Sequence, residues 1–352
     1  MADYGVTPAT AALTVSATTF GVALSVLPWS LLADRFGRVP VMKASIVIAG
    51  VIGLAAPFAP SFELFVGVRF VLGIALGALP AVSMAYLAEE IADGHVTRAA
   101  STFVAGNSIG GLVGRVLAGA LGQAFGWHVG LGAVAVLTLA SGIAFVLLVP
   151  PPRGFVPTAV PLWRLGVILL GHLRNPRLRA LYVQGLLVVG TVAAMYNYVG
   201  FRLQAPPLDV PPVVTSYLFV VFAFGAVATA VAGRLATLLG RRPLIYAGQA
   251  LLVLGAALTL ADDVAVVIAG LSIFTIGTFA GHALSSGLVG QLADGARAQA
   301  TALYQLLYQA GSAALGWLVG VVFDLAGWPG VVGAMVLCAG AGAVALRRLG
   351  RV

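Results

Sequence analysis

From Ala9 to Ala33 the chain carries no charged residue, and mostly apolar runs of membrane-spanning length keep returning. They lie near 9–33, 41–57, 62–88, 98–123, 128–149, 177–203, 211–236, 243–260, 264–291, 298–323 and 328–346. A bilayer core of about 30 Å takes about 20 residues of helix. In lipid the backbone must satisfy its own hydrogen bonds, so continuous runs of this length are helices; strands would alternate over about 10 residues. Composition agrees: 61% of residues are hydrophobic and 9% charged, against roughly 25% charged in a water-soluble domain. The expected fold class is therefore an all-α membrane protein with eleven crossings. No basic residue precedes the first run, which is far longer than the about 7–15 apolar residues of a cleavable signal, so it stays in the membrane. The single cysteine, Cys338, excludes an intramolecular disulfide.

The charges orient the helices. Arg35, Arg38 and Lys43, then Arg98, then Arg153, Arg164, Arg174, Arg177 and Arg179, then Arg234, Arg241 and Arg242, then Arg297, then Arg347, Arg348 and Arg351 all fall on alternate connections. That face is expected to be cytoplasmic, with the linker and C-terminus on it and the N-terminus as given outside. Asp3, Asp209, Asp262, Asp263 and Asp324 mark the opposite face. The net charge of +8 is thereby an orientation signal, and no nucleic-acid partner is needed to explain it.

The chain also repeats itself. "SLLADRFGRVP" from Ser30 returns as "GRLATLLGRRP" from Gly233, matching Leu32/Leu235, Ala33/Ala236, Gly37/Gly240, Arg38/Arg241 and Pro40/Pro243. "IADG" at 91–94 and "FGW" at 125–127 return as "LADG" at 292–295 and "AGW" at 326–328. Two halves of the same orientation about 200 residues apart form a parallel repeat, an arrangement found in transporters. We expect an N-terminal bundle over 1–149, a linker over 150–176 with an interfacial helix carrying Trp163 and Arg164, and a C-terminal bundle over 177–352. The sixth run, 177–203, has no counterpart in the first half. The sequence as given is expected to lack a first helix, giving five plus six crossings where six plus six complete the pattern. A mis-assigned start or a truncated record is the expectation, and a natural eleven-helix form the alternative.

These motifs resemble the major facilitator superfamily over the whole chain. Its signature between helices 2 and 3 is met by Leu32, Ala33, Asp34, Arg35, Gly37 and Arg38, with Ser30 in place of glycine and Val39 in place of the last basic residue. Arg69, Gly73 and Gly77 resemble a signature of proton-coupled members. Gly110, Gly114 and Gly119 are similar to the antiporter signature, with Arg115 where proline is usual. "MAYLAEEI" with "GNSIGGLVGR" looks most like the YnfM-like branch, grouped with drug:proton antiporters. The resemblance implies a major facilitator fold and alternating access of two rocking bundles.

Asp34, Arg35, Gly37, Arg38, Glu89 and Glu90, with the second copy at Gly240 and Arg241, form a candidate conformational latch: the basic residues can reach the acids and release them in another state. The alternative is that the charges only set orientation. Arg69 stands inside an apolar run, where insertion costs about 2.5–3.5 kcal/mol or more, so it is a functional candidate by default. Arg115 lies at a similar depth. Their counter-charge could be Glu63, an acid on the absent first helix or an anionic substrate; satisfaction by backbone carbonyls is the alternative, stronger for Arg115. In the second half the candidates are Gln184, Tyr196, Asn197 and Tyr198, then His282, which could titrate near neutrality or be structural. Tyr304/Tyr308 and Gln305/Gln309 are i,i+4 pairs suited to an organic substrate or to interhelical bonds. The glycine series Gly73/Gly77 and Gly106/Gly110/Gly114 are expected to let helices approach closely.

No phosphate loop, paired cysteines or metal-ligand cluster is present, so neither cofactor, metal nor ATP is expected, and the chain is not expected to be an enzyme. The expected activity is proton-coupled efflux of small organic compounds by a monomeric carrier in a bacterial inner membrane, with substrate, protons and lipid as partners. Alternatives are an uptake carrier or uniporter for an anionic or sugar-like solute, or an inactive fragment or membrane scaffold.

Overall fold

A computed structural model of the chain describes residues 4–91, 96–152, 162–211, 214–215, 217–293 and 296–349, and every regular element among them is helical. Contacts divide the chain into two compact units: Ala17–Leu162, and Trp163–Val352 together with residues 1–16.

The first unit holds most of α1 (Pro8–Phe36), then α2 (Arg38–Ala55), α3 (Phe62–Leu76), α4 (Ala78–Glu90), α5 (Val96–Phe125) and α6 (Trp127–Leu148). The whole turn between α1 and α2 is Gly37, at φ +101°. Sequence reasoning starts the second helix near Val41; it begins at Arg38. Pro40 is thus in its first turn, where a missing N–H breaks no helical bond.

The run 62–88 is two helices, α3 and α4, meeting at Gly77. Pro80, which has no N–H to give to Leu76 O, marks the break, and two side chains engage the carbonyls just before it: Trp29 Nε1 donates to Ile74 O (2.7 Å) and Ser45 Oγ donates to Ala75 O (2.5 Å). Insertion of outside donors into the ladder is a recognised cause of such breaks. Here α1 and α3 touch backbone to backbone: a Cβ on Gly73 would lie 2.0 Å from Thr18 O. At Gly106 and Gly110 of α5, by contrast, no described atom lies within 4 Å of that point. Among the described residues, the close crossing expected of both glycine series is made by the first.

The second unit contains α7 (Leu162–Arg174), α8 (Pro176–Val183), a π-helical turn (Gln184–Val189), α9 (Gly190–Gln204), a 3₁₀ turn (Tyr217–Val221), α10 (Phe222–Leu239), α11 (Arg241–Leu258), α12 (Val264–Leu292) and α13 (Arg297–Leu346). The last two expected crossings are the arms of α13, broken at Gly327 (φ +62°, ψ −157°). The side chains of Trp163 and Arg164, expected at the headgroup level, lie outside the described residues. α11 crosses α12 backbone to backbone, a Cβ on Gly255 lying 2.3 Å from Phe274 N and one on Gly277 2.4 Å from Gly248 O, and α13 meets the π turn as closely, a Cβ on Gly311 lying 1.9 Å from Leu186 O. Leu252, Leu271 and Phe274 fill the space around the α11–α12 crossing, fully buried. Helices that share an apolar solvent associate through such packing rather than through a hydrophobic drive.

The repeat seen in the sequence is present in the backbone. Gly37 and Gly240 take φ +101° and +79°, and Gly126 and Gly327 take φ +91° and +62°. Ser61 caps α3 by accepting from Leu64 N (3.3 Å), and Asp263 caps α12 by accepting from Val266 N (3.0 Å). Among the described residues, eight helical stretches are long and apolar enough to cross a membrane. The remaining expected crossings fall on α5, on α11 and on the second arm of α13, beyond Gly327.

Candidate functional site

The charged turn of the first unit is a bonded cluster. Gly37 reverses the chain so that Arg38 opens α2 directly beside the end of α1, where it pairs with Asp34. From the end of α4, Glu89 accepts from Arg38 Nη2 at 2.9 Å and from Nε at 3.2 Å. One guanidinium therefore ties three helix ends together, and its side chain is only 13% exposed. Arg35 is exposed, with its guanidinium 5.3 Å from the ring centre of Phe36. Glu90 is the last residue of α4.

In the second copy Gly240 makes the same turn, and Arg241 opens α11 and donates to Gln291 at the end of α12. The arginine is retained while its partner is neutral.

Within the first unit Arg69 is half-buried in α3, and Glu63 is exposed in the first turn of the same helix. Arg115 is an exposed residue of α5 whose Nη1 donates to Gly111 O at 3.3 Å, a turn earlier.

The second unit brings several expected residues into polar clusters. On α12, His282 Nδ1 is 3.0 Å from Tyr304 Oη of α13, with the two rings stacked. Tyr308 meets the same imidazole edge-on at 5.0 Å and accepts from Gln305 Nε2 at 3.0 Å. The i,i+4 tyrosine pair thus closes around one histidine. Each ring contributes an apolar face and a hydrogen-bonding edge, and Tyr304 is fully buried.

Tyr196 points elsewhere. Thr275 Oγ1 gives its proton to Leu271 O and accepts from Tyr196 Oη at 2.6 Å. The Tyr196 ring packs on Phe219 and Phe222 and borders a cavity of about 150 Å³ with Val199, Gly200, Thr215 and Leu218. Tyr198 is buried and donates to Gly316 O at 2.8 Å, a structural role. Asn197 Nδ2 is buried, with no hydrogen-bond partner among the described residues.

Three residues went unnoticed in the sequence. Gln249 Nε2 donates to Gln184 Oε1 at 2.7 Å, and Gln249 Oε1 is buried and unbonded. The π turn begins at Gln184, and both amides lie against Gly342, where any side chain would meet them at 2.8 Å. Ser16 Oγ, also buried and unbonded, lies 3.0 Å from the point where a Gly316 side chain would start, with Asn197 Nδ2 3.2 Å from it. Ser285 Oγ of α12 is buried and unbonded as well. An isolated amide in an apolar run was the available signal for Gln249; serines carry none, since in helices they bond their own backbone. No group of three metal-ligating side chains occurs among the described residues.

The family model described as Major Facilitator Superfamily matches residues 1–206. The chain belongs to the major facilitator superfamily. It is 36% identical over 331 residues to the uncharacterized MFS-type transporter YybF of Bacillus subtilis, covering 94% of this chain and 82% of the relative. It is 32% identical over 329 residues to the inner membrane transport protein YnfM of Escherichia coli, covering 94% and 79%. Among solved structures, that of the nucleoside transporter NupG superimposes with a TM-score of 0.74 at 16% identity, covering 97% of this chain and 90% of that one. The chain is a multi-pass membrane transporter with the all-α fold of this superfamily, and it is not an enzyme.

Proposed function

We propose that this transporter exports small organic compounds in exchange for protons, alternating its access between the two sides of a bacterial inner membrane as a monomer. The observation that carries the reading is the His282–Tyr304–Tyr308 cluster, a titratable ring in α12 hydrogen-bonded to one phenol and packed against a second, whose hydroxyl accepts from the Gln305 amide. A protonated imidazole donates from both nitrogens, whereas a neutral one keeps one lone pair free to accept. Proton and solute then compete for the same ring, as exchange requires. Arg69 polarises or relays the coupling proton, Arg115 neutralises an acid or holds the solute, and the Asp34–Arg38–Glu89 cluster sets the balance between the two states. The basic connections face the cytoplasm in this reading.

The test uses everted vesicles containing the full chain, with a pH gradient reported by an acridine dye. A panel of organic compounds beginning with ethidium is added, and hits are those that discharge the gradient. His282→Gln and Arg69→Ala are expected to abolish the discharge while expression stays normal. Discharge as large as in the wild type would refute proton coupling through these residues.

A further inference from the structure

The two charged turns share a plan and differ in one respect. In the first, Arg38 is held between Asp34, four residues before it, and Glu89 on α4. At the matching positions of the second stand Thr237, four residues before its arginine, and Arg241 itself; Gly290 stands at the match of Glu89, and the side chain that Arg241 reaches is Gln291, the match of Glu90. The cation has been kept and both of its counter-charges exchanged for neutral groups. Among the described residues no carboxylate pairs with Arg241.

Space is open beside it. A cleft of about 280 Å³ between α10 and α12 is lined by Thr229, Gly233, Thr237, Arg241, Leu284 and Gly287. That is several times the roughly 30 Å³ share of one water. Gly233 and Gly287 keep it clear, since no described atom lies within 4 Å of where a side chain on either would begin. Of the five N–H donors of a guanidinium, Gln291 takes one. The Thr237 hydroxyl, now given to Arg234 O at 2.7 Å, can turn toward an incoming acceptor. Arg234 and Arg242 flank the site in sequence and add positive charge.

We propose that this cleft binds a phosphate-bearing anion, with Arg241 as its principal ligand, which serves as a counter-charge where the second turn has none among the described residues. The fork of an arginine matches two phosphate oxygens at once. Two sources share this chemistry: the headgroup of an anionic phospholipid and a soluble phosphate. The cleft opens between two membrane helices at their basic end, where anionic headgroups collect.

The experiment takes the delipidated full chain in neutral detergent and adds phosphatidylglycerol or phosphatidylcholine, counting retained lipids by native mass spectrometry. Inorganic phosphate is added in a parallel melting assay. Retention of phosphatidylglycerol over phosphatidylcholine is expected, reduced on the order of tenfold in Arg241→Gln, the loss expected for a charge-assisted bond. The double variant Thr237→Asp/Gln291→Glu supplies internal acids as in the first turn, and it should lose the lipid while keeping its melting temperature. Gly287→Leu should lose it by filling the cleft with every charge intact. Phosphate raising the melting temperature of the wild type and not of Arg241→Gln, with no preference for phosphatidylglycerol, assigns the site to a soluble anion. Equal phosphatidylglycerol retention in all these proteins, with no effect of phosphate, overturns the proposal.

Discussion

Replacing Arg38 with glutamine removes the cation that joins the ends of α1 and α4 to the start of α2. Glu89 is left facing Asp34 across a gap in which their side chains are 30% and 19% exposed. Breaking a fully buried pair costs about 3–5 kcal/mol, and breaking one on the surface at most about 1 kcal/mol. The partial shielding here, with three N–H contacts to Glu89 between 2.9 and 3.2 Å, places the loss at about 2–3 kcal/mol. For a unit of this size each kcal/mol lowers the melting temperature by about 2–4 °C. A fall of about 4–12 °C is therefore expected when the purified chain is melted in neutral detergent. Glu89→Gln should cost a similar amount, and the double variant should cost clearly less than the two together, since the residues act through one contact. Arg241→Gln, whose partner is a neutral amide, should fall by less. If Arg38→Gln melts no lower than Arg241→Gln, or if moderate salt removes the difference as it does for solvated charges, the three-helix clasp is not what holds these ends.

Gly73→Ala should lower the melting temperature sharply, because its Cβ meets the Thr18 carbonyl at 2.0 Å and overpacking costs about 1–3 kcal/mol; Gly106→Ala, with no described atom within 4 Å, should be neutral or stabilising. Gln249→Leu strands the Gln184 amide in the core of the second unit and should cost about 1–3 kcal/mol. Adding Gln184→Leu should recover part of that loss, which a double-mutant cycle of detergent melts would measure.

How far each of these residues could be read beforehand differs. Arg38 and Arg241 stood out because charge is scarce in the chain and the turn occurs twice, and Glu89 was named from its place at the end of an apolar run. That Arg38 reaches Glu89 while Arg35 lies over Phe36 depends on where a one-residue turn aims each side chain, which no pattern of charge encodes. His282, Tyr304 and Tyr308 were separate candidates in the sequence, and their convergence on one ring is a product of α12 meeting α13. Gln249 and Ser16 were passed over because an amide or hydroxyl in an apolar run looks the same whether it bonds its own helix or faces another.

By itself the amino-acid sequence determined that this chain lies in lipid as helices, where they turn, and that the second half repeats the first. Each follows from local physics: apolar length against bilayer thickness, glycine where φ must be positive, and charge excluded from hydrocarbon. Tertiary structure alone decided which glycines bring backbones together and which polar groups are left unbonded inside. Those outcomes depend on the atoms of a neighbouring helix, whose distance and rotation are set by packing over the whole bundle.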